Sequence, residues 1–212
     1  MTTRGLLVRL EARAGKDEAV ADFLRSALPL VQAEAGTSAW FALRFGRSDY
    51  GIFDVFPDDA ARDAHLNGAV AQALRMRADE LFVRQPRIER VTVLADKLGH
   101  PAEGMHIAKG LLLCFKARSG HAEQVEQFLR DAQQSVQQEP KTIAWFALQM
   151  EAGGYGIFDV FPDNGGRFSH LTGHVPRELA KHALSLLGGM PDMDMLDVLA
   201  DKMPAAISTA AA

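Results

Sequence analysis

The chain has 212 residues, 48% of them apolar and 24% charged, with a formal net charge of −4, which is the balance of a soluble globular protein. This composition excludes a disordered, collagen-like or disulfide-built chain, and the single cysteine, Cys114, can form neither an internal disulfide nor a Cys-rich zinc site. The mild acidity advertises no nucleic-acid surface, and no apolar run approaches the roughly 18 residues of a membrane span.

In chain order, Leu6, Val8 and Leu10 alternate with Leu7, Arg9 and Glu11, which predicts a strand that Gly15 ends. Val20, Leu24, Ala27 and Val31 then recur at helical spacing, predicting a helix through Glu34 with a kink at Pro29. Residues 39–45, rich in aromatics, form a second predicted strand, and residues 50–56 a third after the turn Gly46-Arg47-Ser48-Asp49. Pro57 and Asp58 open a second helix whose apolar stripe is Leu66, Val70, Leu74, Ala78 and Leu81. Residues 87–94 close the unit as a fourth strand.

The same pattern then occurs again. Residues 5–97 align without a gap to residues 110–202 at an offset of 105, with 44 identities in 93 positions. Ala39-Trp40-Phe41-Ala42-Leu43 matches Ala144-Trp145-Phe146-Ala147-Leu148, and YGIFDVFPD stands at both 50–58 and 155–163. The chain is a tandem duplication, read as one unit over 1–99, a linker around Gly99–Gly104, and a second unit over 105–204 with an Ala-rich frayed tail from Pro204. Copy two has Gln134 at the place of Pro29, so the kink is not required by the fold.

Strand, helix, strand, strand, helix, strand is the ferredoxin-like α+β order, one antiparallel sheet with two helices on one face. The other face is also apolar. Phe41, Leu43 and Phe45 alternate with Trp40 and Ala42, and Ile52 and Phe56 with Phe53 and Val55. A solvated face would carry polar residues, so the second face needs a cover. The other copy supplies it, and two sheets packed face to face or closed into a barrel are expected, with helices outside.

The WFAL strand, the YGIFDVFPD strand and the following helix starts, Ala61-Arg62-Asp63-Ala64-His65-Leu66 and Gly166-Arg167-Phe168-Ser169-His170-Leu171, resemble the antibiotic biosynthesis monooxygenase family of the dimeric alpha+beta barrel superfamily. The resemblance covers nearly the whole chain, twice. It implies a fused version of what is elsewhere a homodimer. It also implies oxidation of an aromatic or quinol-type substrate by molecular oxygen without a bound cofactor. Relatives in the superfamily degrade haem.

Such chemistry needs a base, donors for the resulting anion and a dry pocket. His65 and His170 are candidate bases, with Arg62 and Arg167 three residues earlier to hold an anion; the alternative is a histidine tied to a nearby carbonyl or carboxylate. Asp54 and Asp159 sit mid-strand, where Asp is disfavoured. They read as a general base, as an anchor for the histidine, or as a partner of Arg9, Arg44 or Arg62. Arg9 and Arg44 become Cys114 and Gln149 in copy two and cannot serve both copies. Trp40 and Trp145 would floor a flat pocket or fill the core. Tyr50 and Tyr155 would donate to an oxyanion or point to solvent from the hairpin end.

A metal or haem iron at His65 and His170 is the runner-up, although His100, His106, His121, His174 and His182 have no histidine counterpart in the other copy. Met190, Met193, Met195 and Met203 read as gap fillers, and Cys114 as an inert half-buried thiol. Gly153-Gly154 and Gly165-Gly166 read as turn and helix-start geometry. Arg75, Arg77, Arg84, Arg87 and Arg90 form a basic run, but residues 1–104 hold 14 basic against 15 acidic side chains, so a solvated face is expected. No nucleotide, zinc or redox motif is visible.

Two functions follow. One is a cofactor-free monooxygenase with two similar pockets, its partners a small aromatic molecule and oxygen. The other is a non-catalytic module binding a hydrophobic ligand or a protein. Neither involves nucleic acid or membrane, the expected location is the cytoplasm, and a homodimer of the fused chain is left open.

Overall fold

The computed structural model describes residues 2–101 and 104–204; the Ala-rich tail after Pro204 and part of the linker lie outside them. The first half runs β1 (Arg4–Glu11), α1 (Asp17–Ser26), α2 (Leu28–Gln32), β2 (Ala39–Arg44), β3 (Asp49–Phe56), α3 (Asp59–Leu66), α4 (Ala69–Leu81) and β4 (Arg87–Leu98). The second runs β5 (Lys109–Phe115), α5 (Ala122–Gln137), β6 (Ala144–Met150), β7 (Tyr155–Phe161), α6 (Asn164–Leu171), α7 (His174–Leu186) and β8 (Asp192–Lys202). Among the described residues no helix is long and apolar enough to cross a membrane.

The strands close into one barrel in the order β1-β3-β2-β8-β5-β7-β6-β4. Within each half the order is therefore last, first, third, second. Closure comes from exchange: β4 pairs with β6 and β8 pairs with β2, each across to the other half. Full closure removes every sheet edge.

The exchange explains why the fourth strand is longer than its apolar pattern suggests. Residues 87–92 lie beside β1, while residues 91–98 lie beside β6. A register shift between Val93 and Ala95 marks the change, and β8 skips Leu199 at the matching place. A bulge re-aims the side chains that follow it, so Val91 and Val93 face the barrel interior while Leu94 and Ala95 pack under the helices of the other half.

The expected alternation of faces holds. Phe41, Leu43, Phe53 and Val55 from one half meet Phe146, Leu148, Phe158 and Val160 from the other inside the barrel. The rings of Phe53 and Phe158 lie 4.2 Å apart between centroids. The opposite face, with Trp40, Ala42 and Ile52, packs on α1, α2 and α4, and its counterpart packs Trp145, Ala147 and Ile157 on α5 and α7.

Two predicted helices are divided. Pro29 does more than kink: α1 ends at Ser26 and α2 begins at Leu28, with the proline in its first turn, where no amide hydrogen bond is lost. With Gln134 at that place, α5 runs unbroken over 16 residues. The second predicted helix opens as expected, Asp58 Oδ1 accepting from the Ala61 amide at 2.9 Å, but breaks at Asn67-Gly68 into α3 and α4. At Gly68 a Cβ would sit 3.0 Å from Glu34 Oε1 and 3.2 Å from the His65 carbonyl, so the break lets the chain pass close to a carboxylate.

Candidate active site

The helix face of each half-sheet carries an aspartate, and the last turn of the following helix hangs a histidine over it. Asp54 lies on β3 opposite Trp40, and Asp159 on β7 opposite Trp145. His65, near the end of α3, places Nε2 at 3.2 Å from Asp54 Oδ2; His170 places Nε2 at 3.5 Å from Asp159 Oδ2. The other ring nitrogen meets a second carboxylate. Glu34 Oε2 lies 2.5 Å from His65 Nδ1, and Glu139 Oε2 lies 2.6 Å from His170 Nδ1. Thr37 and Thr142 donate to the same glutamate oxygens at 2.8 and 2.6 Å. The imidazoles also lie against Phe56 and Phe161. All four Asp and His side chains are buried.

This sandwich decides the protonation. Burial by itself would lower the histidine, but the Asp54 and Glu34 carboxylates outweigh it and hold His65 up at about 9. His170 is raised in the same way by Asp159 and Glu139. Burial also raises Asp54 against the pull of the His65 charge. It carries Asp159 to about 7, opposed by His170 and helped by Glu139. At neutral pH His65 is thus an imidazolium that donates, and in the second half the group whose pKa lies near neutrality is Asp159. Apart from the facing imidazoles, no side chain among the described residues pairs with the carboxylates of Asp54 and Asp159, and the buried indole N–H groups of Trp40 and Trp145 have no partner among them. Buried polar atoms without partners are costly.

In the second half the relay borders an occupant-sized space. A cavity of about 310 Å³ is lined by Leu113, Ile157, Leu179 and Leu187, with Asp159 and His170 as its polar members. Met193 lines it and is half exposed, and Met190, almost fully exposed, stands at the same wall. In the first half the positions of Leu187 and Ala180 are held by Phe82 and Arg75. Phe82 is fully buried, and Arg75 donates to the Leu66 carbonyl at 3.2 Å. The cleft beside His65 instead opens on its Glu34 side, between Thr37, Ala61 and Gly68. The cavity beside Asp159 and the cleft beside His65 thus have different linings around an identical relay.

The remaining candidates lie elsewhere. Arg62 is buried but turns from His65 to Asp59, 2.5 Å away, beside a polar cleft with Arg4 and Arg90. Arg167 donates to the Gly110 and Leu196 carbonyls and to Asn164. Tyr50 and Tyr155 are buried rather than solvent-facing and tie the sheet to α1 and α5, Tyr50 Oη donating to the Asp17 carbonyl and Tyr155 Oη to Glu126. Each lies four residues from its aspartate, roughly 13 Å along the strand. No arginine pairs with Asp54: Arg9 pairs with Asp194, Arg44 with Glu18 and Arg62 with Asp59. For the metal alternative, both nitrogens of each imidazole already face carboxylates, and the described residues hold no group of three or more potential ligands fit for a metal.

Sequence reasoning missed Glu34, Glu139, Thr37, Thr142, Gly68 and Gly173. The signal was present, since each is identical between the copies at the offset of 105. They sit in loops or at helix ends, where no periodicity draws attention to them.

No protein-family model and no curated protein matches the sequence. Among solved structures, the chain is similar to a putative monooxygenase from Fusobacterium nucleatum, with TM-score 0.85, 11% identity and coverage of 97% of this chain and 96% of that one. An uncharacterised ferredoxin-fold protein related to antibiotic biosynthesis monooxygenases, from Listeria monocytogenes, matches with TM-score 0.55 and 7% identity over 93% and 95%. A protein of unknown function from Nitrosomonas europaea is 57% identical over 48% of this chain and 97% of that one, with TM-score 0.46. The closed barrel and its structural neighbours together give this chain the α+β barrel fold that these proteins share.

Proposed function

We propose that the protein is a monooxygenase that oxidises a small aromatic, quinol-type substrate with molecular oxygen and no bound cofactor, in the cavity of its second half. In this reading residues 1–99 and 105–204 are two ferredoxin-like repeats whose fusion replaces a homodimer. The observation that carries it is Asp159, a fully buried aspartate faced by His170, with a pKa of about 7, on the wall of an apolar cavity.

Asp159 takes the proton of a ring hydroxyl. His170, held by Glu139, donates toward the aspartate and keeps its oxygens aimed. The apolar walls keep water from the electron-rich anion, which strengthens every charge interaction within. That anion passes an electron to oxygen, and the resulting pair combines. For a quinol the balance closes without an outside reductant: quinol plus O₂ gives hydroxyquinone plus water. All four electrons come from the substrate.

The test is oxygen uptake by metal-analysed protein across a panel of hydroquinones and polyhydroxylated aromatics. Uptake that persists without flavin or metal, and falls about 100-fold or more in Asp159→Asn, is the expected result for loss of a general base. Ligand-dependent thermal stabilisation with no uptake across the panel would favour a binding module instead.

A further inference from the structure

Lys97 and Lys202 end the two exchanged strands and are identical between the copies. Neither cation rests on a carboxylate. Lys97 Nζ donates to the Glu139 carbonyl at 2.6 Å and to the Val136 carbonyl at 3.0 Å. Lys202 Nζ donates to the Glu34 carbonyl at 2.6 Å and to the Val31 carbonyl at 3.0 Å. Val136 and Val31 lie in the last turns of α5 and α2, and Glu139 and Glu34 stand just beyond the C-caps, where the helix presents its negative pole. Glu139 and Glu34 are the very residues whose carboxylates hold the imidazoles. Each lysine comes from the opposite half of the chain.

We infer that Lys97 and Lys202 are positioning residues acting in trans, each half supplying through its last strand the cation that sets the histidine-holding glutamate of the other half. The path is short and continuous in each direction. Lys97 fixes the backbone of Glu139, Glu139 fixes His170, and His170 faces Asp159; Lys202, Glu34, His65 and Asp54 repeat it. The register of β4 on β6 places Lys97 opposite Trp145, so the lysine arrives only when the barrel is closed. Each site is therefore incomplete without the other half.

This inference rests on the relay being the working part of the site, but its test needs no turnover. The readout is the titration of both histidine rings by NMR in the full chain. The charged groups facing His170 are Glu139, Asp159 and, beyond the glutamate, Lys97; those facing His65 are Asp54 and Glu34. In Lys97→Met the two possible roles have opposite signs. A cation acting only through its charge depresses His170, so its removal would raise the midpoint. A cation that positions Glu139 supports the midpoint, so its removal lets His170 fall toward its ordinary value. The expected result is a fall of about one pH unit, a tenfold change in proton affinity, with His65 unmoved in the same sample. Lys202→Met should move His65 and spare His170, and Lys97→Arg, which keeps two donors at the same carbonyls, should restore the wild-type midpoint. A rise or no change at His170, an equal shift of both rings, or no rescue by arginine would overturn the inference. Should Lys97→Met fail to fold, the Lys202→Met and Lys97→Arg measurements still decide it. Absence of oxygen uptake by the unaltered protein across the panel above, with these shifts observed, would reject the oxygenase reading and leave the trans positioning standing.

Discussion

In the second half, the Glu–His–Asp relay borders an apolar cavity lined in part by Leu187 and Ala180; in the first half the same relay lies on the same elements, and those two positions are Phe82 and Arg75. The ion pairs differ little, 2.5 and 3.2 Å about His65 against 2.6 and 3.5 Å about His170. What differs is access. Duplication preserved the groups that must hold each other in a dry interior, because an unpartnered buried charge is expensive. It left the lining free to drift, because apolar side chains of different size can be accommodated at a modest cost. The lesson is that identity between copies marks the relay, while divergence marks the pocket.

The comparison can be broken most decisively at the aspartates. Asp159→Asn should lower turnover about 100-fold or more, the usual range for a lost general base, whereas Asp54→Asn should lower it severalfold less, measured as oxygen uptake on the best substrate. Equal losses would mean that both halves react. A smaller effect is expected from the lining. Leu187→Phe copies the first half and should reduce kcat/KM about tenfold, consistent with the one or more kcal/mol that a methylene-scale misfit carries in an apolar pocket, while thermal stability stays within about 1 kcal/mol.

The relay also makes a pH prediction. His65 is raised in the folded state from 6.5 to about 9, so its stabilising contribution is fully present below 6.5 and is lost as pH rises through 9. Thermal melts between pH 6.5 and 9.5 should show a decline of roughly 1–3 kcal/mol from His65 that His65→Gln removes, leaving the part due to His170, which is raised in the same direction. The smallest effect concerns the one helix that the halves build differently. Pro29→Gln copies Gln134 and should join α1 to α2, read as a gain of helical signal in far-ultraviolet circular dichroism. Its stability change should stay within about 1 kcal/mol, since a well-placed proline acts chiefly on the unfolded chain.

Much of the fold could be read from the chain alone. The period-2 alternation at Trp40–Leu43 and Ile52–Val55, apolar on both sides, called for a cover on the second face, and the duplication named the cover. The length of the fourth strand could not be read this way, because Ala95, Asp96 and Lys97 show no strand alternation; their pairing with Ala147, Phe146 and Trp145 comes entirely from the other half. The breaks at Ala27 and at Asn67-Gly68 were likewise hidden, since apolar spacing continues across both.

For the site, the mid-strand aspartates and the helix-start histidines stood out because their residue types are wrong for plain packing. That they face one another, and that arginine and tyrosine do not join them, depends on where side chains of different length reach once the helices dock. The sequence by itself determined the duplication, the α+β element order, the two apolar faces and the Asp and His candidates, because each is a local pattern in residue type and spacing. Only the tertiary structure decided which half crosses to complete the other, which carboxylate grips which ring nitrogen, and which copy opens a cavity. Those are consequences of non-local packing: strand exchange, helix docking and side-chain volume act between residues far apart in the chain, where no periodicity records them.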